Sequence, residues 1–155
     1  MEALKEEVTK KNDFYVKSWY PVMIRELKGK LLLAGGKTLE GLTELGEAAQ
    51  AWGALLREQN DPPFYPSNIY DDLGRAYLTA KSPVLAAAAF GKSLELVRNN
   101  GWALAGLAEA HTVLGEKEKA TAFSDRLRHV WGDAEAPPAG AGKAVDVSPG
   151  PPQRN

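Results

Sequence analysis

Gly35-Gly36-Lys37-Thr38 carries the Gly-Lys-Thr order with which a loop can wrap phosphate, so nucleotide binding is the first chemistry to test. A phosphate loop needs a further glycine five residues before its last one, and that place holds Leu31. It also needs a strand leading into it, so that backbone N–H groups converge on the anion. The residues before Gly35 have helical spacing instead, and the four residues read as a hairpin turn with Thr38 capping the next helix. His111 and His129 are the only histidines. His129 follows Asp125 by four residues, the spacing of a pair on a helix surface. His111 has Glu109 and Ser124 nearby in sequence, but Glu109 and His111 are two apart on a helix and point to different faces. Neither histidine belongs to an HExxH pair or a carboxylate cluster. The chain has no cysteine, which removes disulfides, thiolate zinc sites and a cysteine nucleophile. With no acid–base pair, nucleophile, metal set or phosphate loop left, the expectation is a protein that is not an enzyme and uses no cofactor or metal.

The elements that would position any binding residue come next. A length of 155 residues suits one domain with its own core, and a formal net charge of -1 offers no electrostatic footprint for nucleic acid or an anionic membrane. Residues 1–12 are charged throughout and lack the apolar stretch of a secretory signal. The longest apolar runs, 31–34 and 84–90, are too short to span a bilayer. A cytoplasmic protein is expected, with neither nucleic acid nor membrane as partner. Residues 133–155 hold five of the ten prolines and only Val145 and Val147 as large apolar residues, so they read as a disordered Pro/Gly-rich tail. The body, 1–132, is then proline-poor. Its main break is 57–66, where Asp61-Pro62-Pro63 and Pro66 cannot continue a helix.

Elsewhere the apolar spacing is helical: Ile69, Leu73, Ala76, Tyr77 and Ala80 share one face, as do Leu104, Leu107, Ala108, His111 and Leu114. Ser67, Ser82-Pro83 and Asn100 mark helix starts, and Gly35, Gly36 and Gly115 mark stops. The spacing predicts six or seven helices, at roughly 2–12, 20–34, 38–56, 67–80, 83–98, 101–114 and 117–131. No stretch alternates apolar with polar residues, so no sheet is expected. Trp19, Trp52, Trp102 and Trp131 fall near the helix ends, and for Trp52 and Trp131 packing with the indole N–H turned to solvent is the expectation.

Self-comparison shows a repeat. Tyr70-x-x-Leu73-Gly74-x-x-Tyr77 is followed by Ala86-x-x-x-Phe90, and 34 residues on stand Leu104-x-x-Leu107-Ala108-x-x-His111 and Ala120-x-x-x-Ser124. A weaker copy lies upstream in Gly29-x-x-Leu32, Gly36, Gly41-x-x-x-Leu45 and Ala48. Gly29 to Gly74 is 45 residues, so the proline segment is an 11-residue insertion between two copies. Small residues recur where the two helices of a hairpin would cross, because a larger side chain would push their axes beyond about 8–10 Å. Tyr77 and Phe90 would fill the space between one hairpin and the next. The middle series closely resembles the tetratricopeptide repeat signature, which shares this period. Arg98 departs from it where the family usually closes with proline, and Arg25 and Lys28 stand at two usually apolar places. The segment 99–104 is similar to the C-terminal repeats of large bacterial tetratricopeptide proteins, which implies a terminal piece of something longer.

The resemblance implies an all-α fold, a right-handed α-solenoid of about three helix-turn-helix hairpins at 22–56, 67–100 and 101–131. In that family the first helices line a concave groove. Carried onto this chain, the groove candidates are Lys30, Asn68, Asp71, Arg75, Trp102 and Glu109, with Glu26 beside them. Trp102 would sit at the groove edge, and tryptophan is enriched at binding hot spots. Glu26, Asp71 and Glu109 would repel a peptide's terminal carboxylate, so the carboxylate clamp of chaperone-cofactor repeats is not expected. The functional expectation is a protein–protein interaction module that takes a partner segment in this groove. The alternative is an end cap or self-associating scaffold piece of a larger solenoid, including a homo-oligomer. Charged helices at both ends, 3–11 and 116–130, argue for a small closed unit.

Overall fold

A computed structural model describes residues 2–58 and 68–132, with the side chains of the first helix from residue 16 on. Among the described residues there are six helices and no strand: α1 (Glu2–Ala34), α2 (Thr38–Glu58), α3 (Ile69–Thr79), α4 (Pro83–Leu96), α5 (Gly101–Val113) and α6 (Lys117–Trp131). The all-helical expectation holds. The tail at 133–155, Ser67 and most of the break at 57–66 lie outside the described residues, and the first two residues of that break end α2.

Helices expected at 2–12 and 20–34 are one helix, α1, with Pro21 inside it. Proline there removes a backbone hydrogen bond and costs about 3 kcal/mol. Trp19 and Val22 flank it and are both buried in a cluster with Leu45, Ala48, Ala49 and Trp52. Burying a large apolar side chain returns about 1.5–3 kcal/mol, so packing against α2 overrides the local preference.

Each helix packs on the next, and α3 also packs on α5. The first hairpin shows why glycine sits at its crossing. A Cβ on Gly29 would lie 2.9 Å from Leu45 Cγ and 3.1 Å from the Gly41 carbonyl, and one on Gly41 would lie 2.7 Å from Leu33. Here two backbones touch. Arg25 and Lys28, at places usually apolar in the repeat, reach across to α2: Lys28 Nζ is 2.5 Å from Glu44 Oε1, and Arg25 pairs with Glu47.

Three hairpin turns share one hydrogen-bond pattern. In the first, Gly36 N donates to the Leu33 carbonyl and Lys37 N to the Leu32 carbonyl. In the second, Lys81 N donates to Leu78 and Ser82 N to Tyr77. In the third, Gly115 N donates to Thr112 and Glu116 N to His111. This is the αL helix stop, which frees orphaned carbonyls from solvation loss. Gly36 (φ 77°) and Gly115 (φ 76°) adopt it without strain, whereas Lys81 (φ 56°) is the one non-glycine residue with positive φ among the described residues. Thr38 is the first residue of α2 rather than its cap. Ser82 stands at the cap position of α4 without a side-chain cap bond, whereas Asn100 caps α5 by accepting from Trp102 N at 3.0 Å.

Phe90 of α4 is the keystone between the second and third hairpins. It is fully buried, and its ring lies against both Gly74 of α3 and Gly106 of α5, where any Cβ would overlap it. Trp52 is also fully buried, edge-on to Tyr70 at 6.3 Å, and its Nε1 finds no hydrogen-bond partner among the described residues. Its N–H therefore does not reach solvent as expected from the sequence.

Candidate functional site

The six candidates lie on α1, α3 and α5 or, for Asn68, at the cap of α3, and they fall into separate clusters. In the first, Lys30 Nζ lies 2.5 Å from Glu26 Oε1, four residues back on the same helix, and 2.8 Å from Asp72 Oδ2 on α3. Partial burial works against the Lys30 charge, but the bonds to Asp72 and Glu26 outweigh it and raise its pKa. Glu26 is buried rather than turned to a solvated groove, so the lysine's charge serves the fold first. Burial pushes the Asp72 carboxyl above its ordinary value, and Lys30 pulls it back.

One turn further along α3, Arg75 forms an ion pair with Glu109 of α5, 34 residues away, and its guanidinium sits 5.5 Å from the Phe90 ring centroid. Two of the six candidates are thus partners of each other. The pair fixes α3 beside α5 with the period of the sequence repeat.

Asn68 and Asp71 are spent on a half-buried polar cluster at the start of α3. Asn68 Nδ2 donates to Ser93 Oγ at 2.8 Å. Asn100 Nδ2 donates to the same oxygen at 2.9 Å and to Asp71 Oδ2 at 2.6 Å. Ser93 is fully buried on α4. Burial raises the Asp71 pKa, against the pull of Asn100 and Ser93. Asn68 Oδ1 and Asp71 Oδ1 find no hydrogen-bond partner among the described residues. The cluster ties α3, α4 and the start of α5 together. In the sequence Asn100 reads as a helix cap, and Ser93, between Lys92 and Glu95, carries no mark that sets it apart from a surface hydroxyl.

Trp102 is 41% exposed and makes no side-chain ion pair or hydrogen bond among the described residues; it packs edge-on to Trp131 with ring centroids 6.3 Å apart. Trp131 in turn covers Gly101, where a Cβ would collide with its indole.

His111 does not meet Glu109 or Ser124 in any described hydrogen bond. Its Nδ1 lies 2.6 Å from Glu116 Oε2, and its ring stacks on Phe123 at 5.4 Å with the planes 6° apart. It closes the last hairpin. Lys119, 3.0 Å away, and His111 hold the Glu116 carboxyl below its ordinary value. Among the described residues, no group of three or more His, Asp or Glu is placed to hold a metal ion, and no helix is long and apolar enough to cross a membrane.

No protein-family model matches the chain, and comparison with curated proteins finds no relative.

Proposed function

We propose that this chain is a three-hairpin α-solenoid of the tetratricopeptide type, and that it is a docking module for a segment of another protein in the cytoplasm. The contact surface is the strip formed by Lys30, Asp72, Arg75, Glu109 and Trp102. One observation carries the reading. The same hairpin turn recurs at Leu32, Tyr77 and His111, at offsets of 45 and 34 residues, and ion pairs hold the first helices side by side. Such a surface is rigid before a partner arrives, so binding loses little ordering entropy. Its charges are already paired with one another, which makes it suited to a segment of mixed charge with an aromatic or aliphatic anchor against Trp102.

The test starts from a displayed random-peptide library selected against the full chain. Selected peptides are expected to move the Trp102 indole and the α3 and α5 amides in NMR spectra. The Lys30→Ala/Arg75→Ala/Trp102→Ala variant is expected to bind them at least ~10-fold more weakly. Unchanged affinity in that variant removes the strip as the site. Saturating nucleotide or divalent metal is expected to leave Tm unmoved, because a tight ligand must stabilise the native state. A rise would bring an enzymatic reading back.

A further inference from the structure

The most exposed row of large apolar side chains lies on α1, away from the strip. Ile24 is 67% exposed, Leu31 64%, Leu27 59%, Val16 49% and Tyr20 48%. An open groove runs along Ile24, Leu27, Leu31 and Leu32 to Gly35. The opposite side of the same helix is already used, since Trp19, Val22, Glu26 and Gly29 are buried. Helical spacing sets Lys30 about 60° from Leu27 and about 90° from the middle of the row, so the row and Lys30 look out from different sides of the helix.

We propose that this face is a dimer interface, in which the α1 helices of two copies of the chain pack antiparallel along Tyr20, Ile24, Leu27 and Leu31. Four observations select a second copy as the occupant. The first is spacing: steps of four, three and four residues give the 3.5-residue period of a helix–helix seam, which fits another helix of the same kind. The second is size. These side chains leave on the order of 500 Å² of apolar surface open, beyond what isolated surface residues give and most of the ~600–1,000 Å² a protomer contributes to a stable interface.

The third is the absence of a comparable row elsewhere among the described residues. The other exposed large apolar residues there, Leu39, Val84, Leu85, Val97, Trp102 and Val113, form no run of three or more at helical spacing. The far end of the molecule, α6, exposes Lys117, Glu118, Asp125, Arg126 and Arg128. Head-to-tail stacking would therefore bury charge against leucine, whereas α1 on α1 sets apolar against apolar and closes the assembly at two copies. The fourth is charge. Lys28 and Arg25, the basic residues flanking the seam, are neutralised within the chain by Glu44 and Glu47. An antiparallel arrangement sets Ile24 opposite Leu27 and Lys28 opposite Met23. A parallel one would set Lys28 beside its own copy, which like-charge repulsion disfavours.

This inference does not rest on the groove reading, and the strip remains accessible in such a dimer. Sedimentation velocity on the full chain, from micromolar to near-millimolar concentration, is expected to show a species of twice the chain mass. Leu27→Glu and, independently, Ile24→Glu are expected to weaken that species at least ~100-fold, since symmetry places each new charge in the seam twice. Circular dichroism checks that helix content is retained. Val113→Glu, an exposed position off the seam, is expected to leave the dimer intact. A mixture of Ile24→Cys and Leu27→Cys chains is expected to form a mixed disulfide dimer under oxidation, while neither alone cross-links. A chain that stays monomeric throughout overturns the proposal. So does a dimer that survives both seam charges, or one in which Leu27→Cys cross-links to itself.

Discussion

In the first hairpin, α2 buries Gly41, Leu45, Ala48, Ala49, Trp52 and Gly53, whereas in the last hairpin α6 buries Ala120 alone. Otherwise α6 rests on the Phe123–His111 stack, on Trp131 over Gly101, and on the hydrogen bond from Arg126 to the Arg98 carbonyl. The surfaces run the other way: α6 turns charge outward and α1 turns leucine and isoleucine outward. The end with the deeper core is therefore the end with the unfinished surface. A terminal helix that needs no further neighbour has a polar outer face. By that standard the outer face of α6 is finished, whereas that of α1 between residues 16 and 31 is not; the expectation of a closed unit drew on residues 3–11, whose side chains lie outside the described ones.

The largest expected effect tests the gradient in burial. Trp52→Ala removes a fully buried side chain of the first hairpin, with a cost of about 3–5 kcal/mol. Phe123→Ala removes a partly buried ring that packs on His111 and the edge of the core around Phe90 and Leu107, with a cost of about 1–2 kcal/mol. Urea unfolding of the two variants measures the difference, and similar midpoints for both would remove the gradient.

A second contrast concerns what each end can yield. Gly29→Ala sets a methyl against the Leu45 nitrogen at 3.0 Å and the Gly41 carbonyl at 3.1 Å, backbone atoms that cannot step aside. A loss of about 1–3 kcal/mol is expected. Gly101→Ala meets the Trp131 indole first, a side chain in the last turn of α6 that can swing out. Its expected loss is about 1 kcal/mol, with a matching change in tryptophan fluorescence as Trp131 is released. A Gly101→Ala variant as unstable as Gly29→Ala, with unaltered fluorescence, would show that α6 is anchored as firmly as α1.

Much of this architecture was readable in advance, and the reasons for the rest are physical. Gly36 and Gly115 announced their turns because a left-handed stop excludes most other residues. The middle turn, at Lys81, was bounded only by Ser82-Pro83 beyond it. The continuity of α1 was hidden by Pro21, since its compensation comes from Trp52 and Ala48 on another helix. Gly106 falls outside the repeat match, and its reason is Phe90, a ring from α4. The six groove candidates were drawn from a resemblance that places residues on a face but is silent on their pairing. Arg75 with Glu109 and Asp71 with Asn100 follow from the lateral packing of α3 on α5. The apolar row on α1 was present in the spacing of Tyr20, Ile24, Leu27 and Leu31. It went unseen because Trp19, Val22 and Leu33 interleave with it and blur any single stripe.

The two ends communicate through α3, and the cluster around Asp71 tests that joint. Burial holds the Asp71 carboxyl above its ordinary value of 3.8. The folded chain therefore binds this proton more tightly than the unfolded one. The associated stability is fully present below pH 3.8 and is lost as pH rises through the folded value. Asp71→Asn keeps an oxygen for Asn100 and cannot ionise. Its stability relative to the unaltered chain is expected to rise across that window and then level off, with a difference below it of no more than about 1 kcal/mol. Melting curves from pH 3 to 8 read this directly, and a parallel pair of curves would mean that Asp71 is not held by burial.

The smallest expected effect concerns the turn between the ends. Gly36 and Gly115 serve the first and last hairpins, and the middle one must use Lys81 at φ 56°. A left-handed residue with a Cβ costs about 1–2 kcal/mol, offset in part because glycine loses more backbone freedom on folding. Lys81→Gly is therefore expected to raise stability by about 0.5–1 kcal/mol, whereas Gly36→Ala and Gly115→Ala are each expected to lower it by about 1 kcal/mol. The hydrogen bonds of all three turns are alike, so the side chain is the variable under test. Amide exchange adds location. Relief at Lys81 is expected to slow exchange in α3 and α4, with α1 and α2 little changed, as locally cooperative units would have it. Protection spread evenly over both ends would instead mean that the three hairpins open as a single body, and the graded stability inferred from α2 and α6 would not survive it.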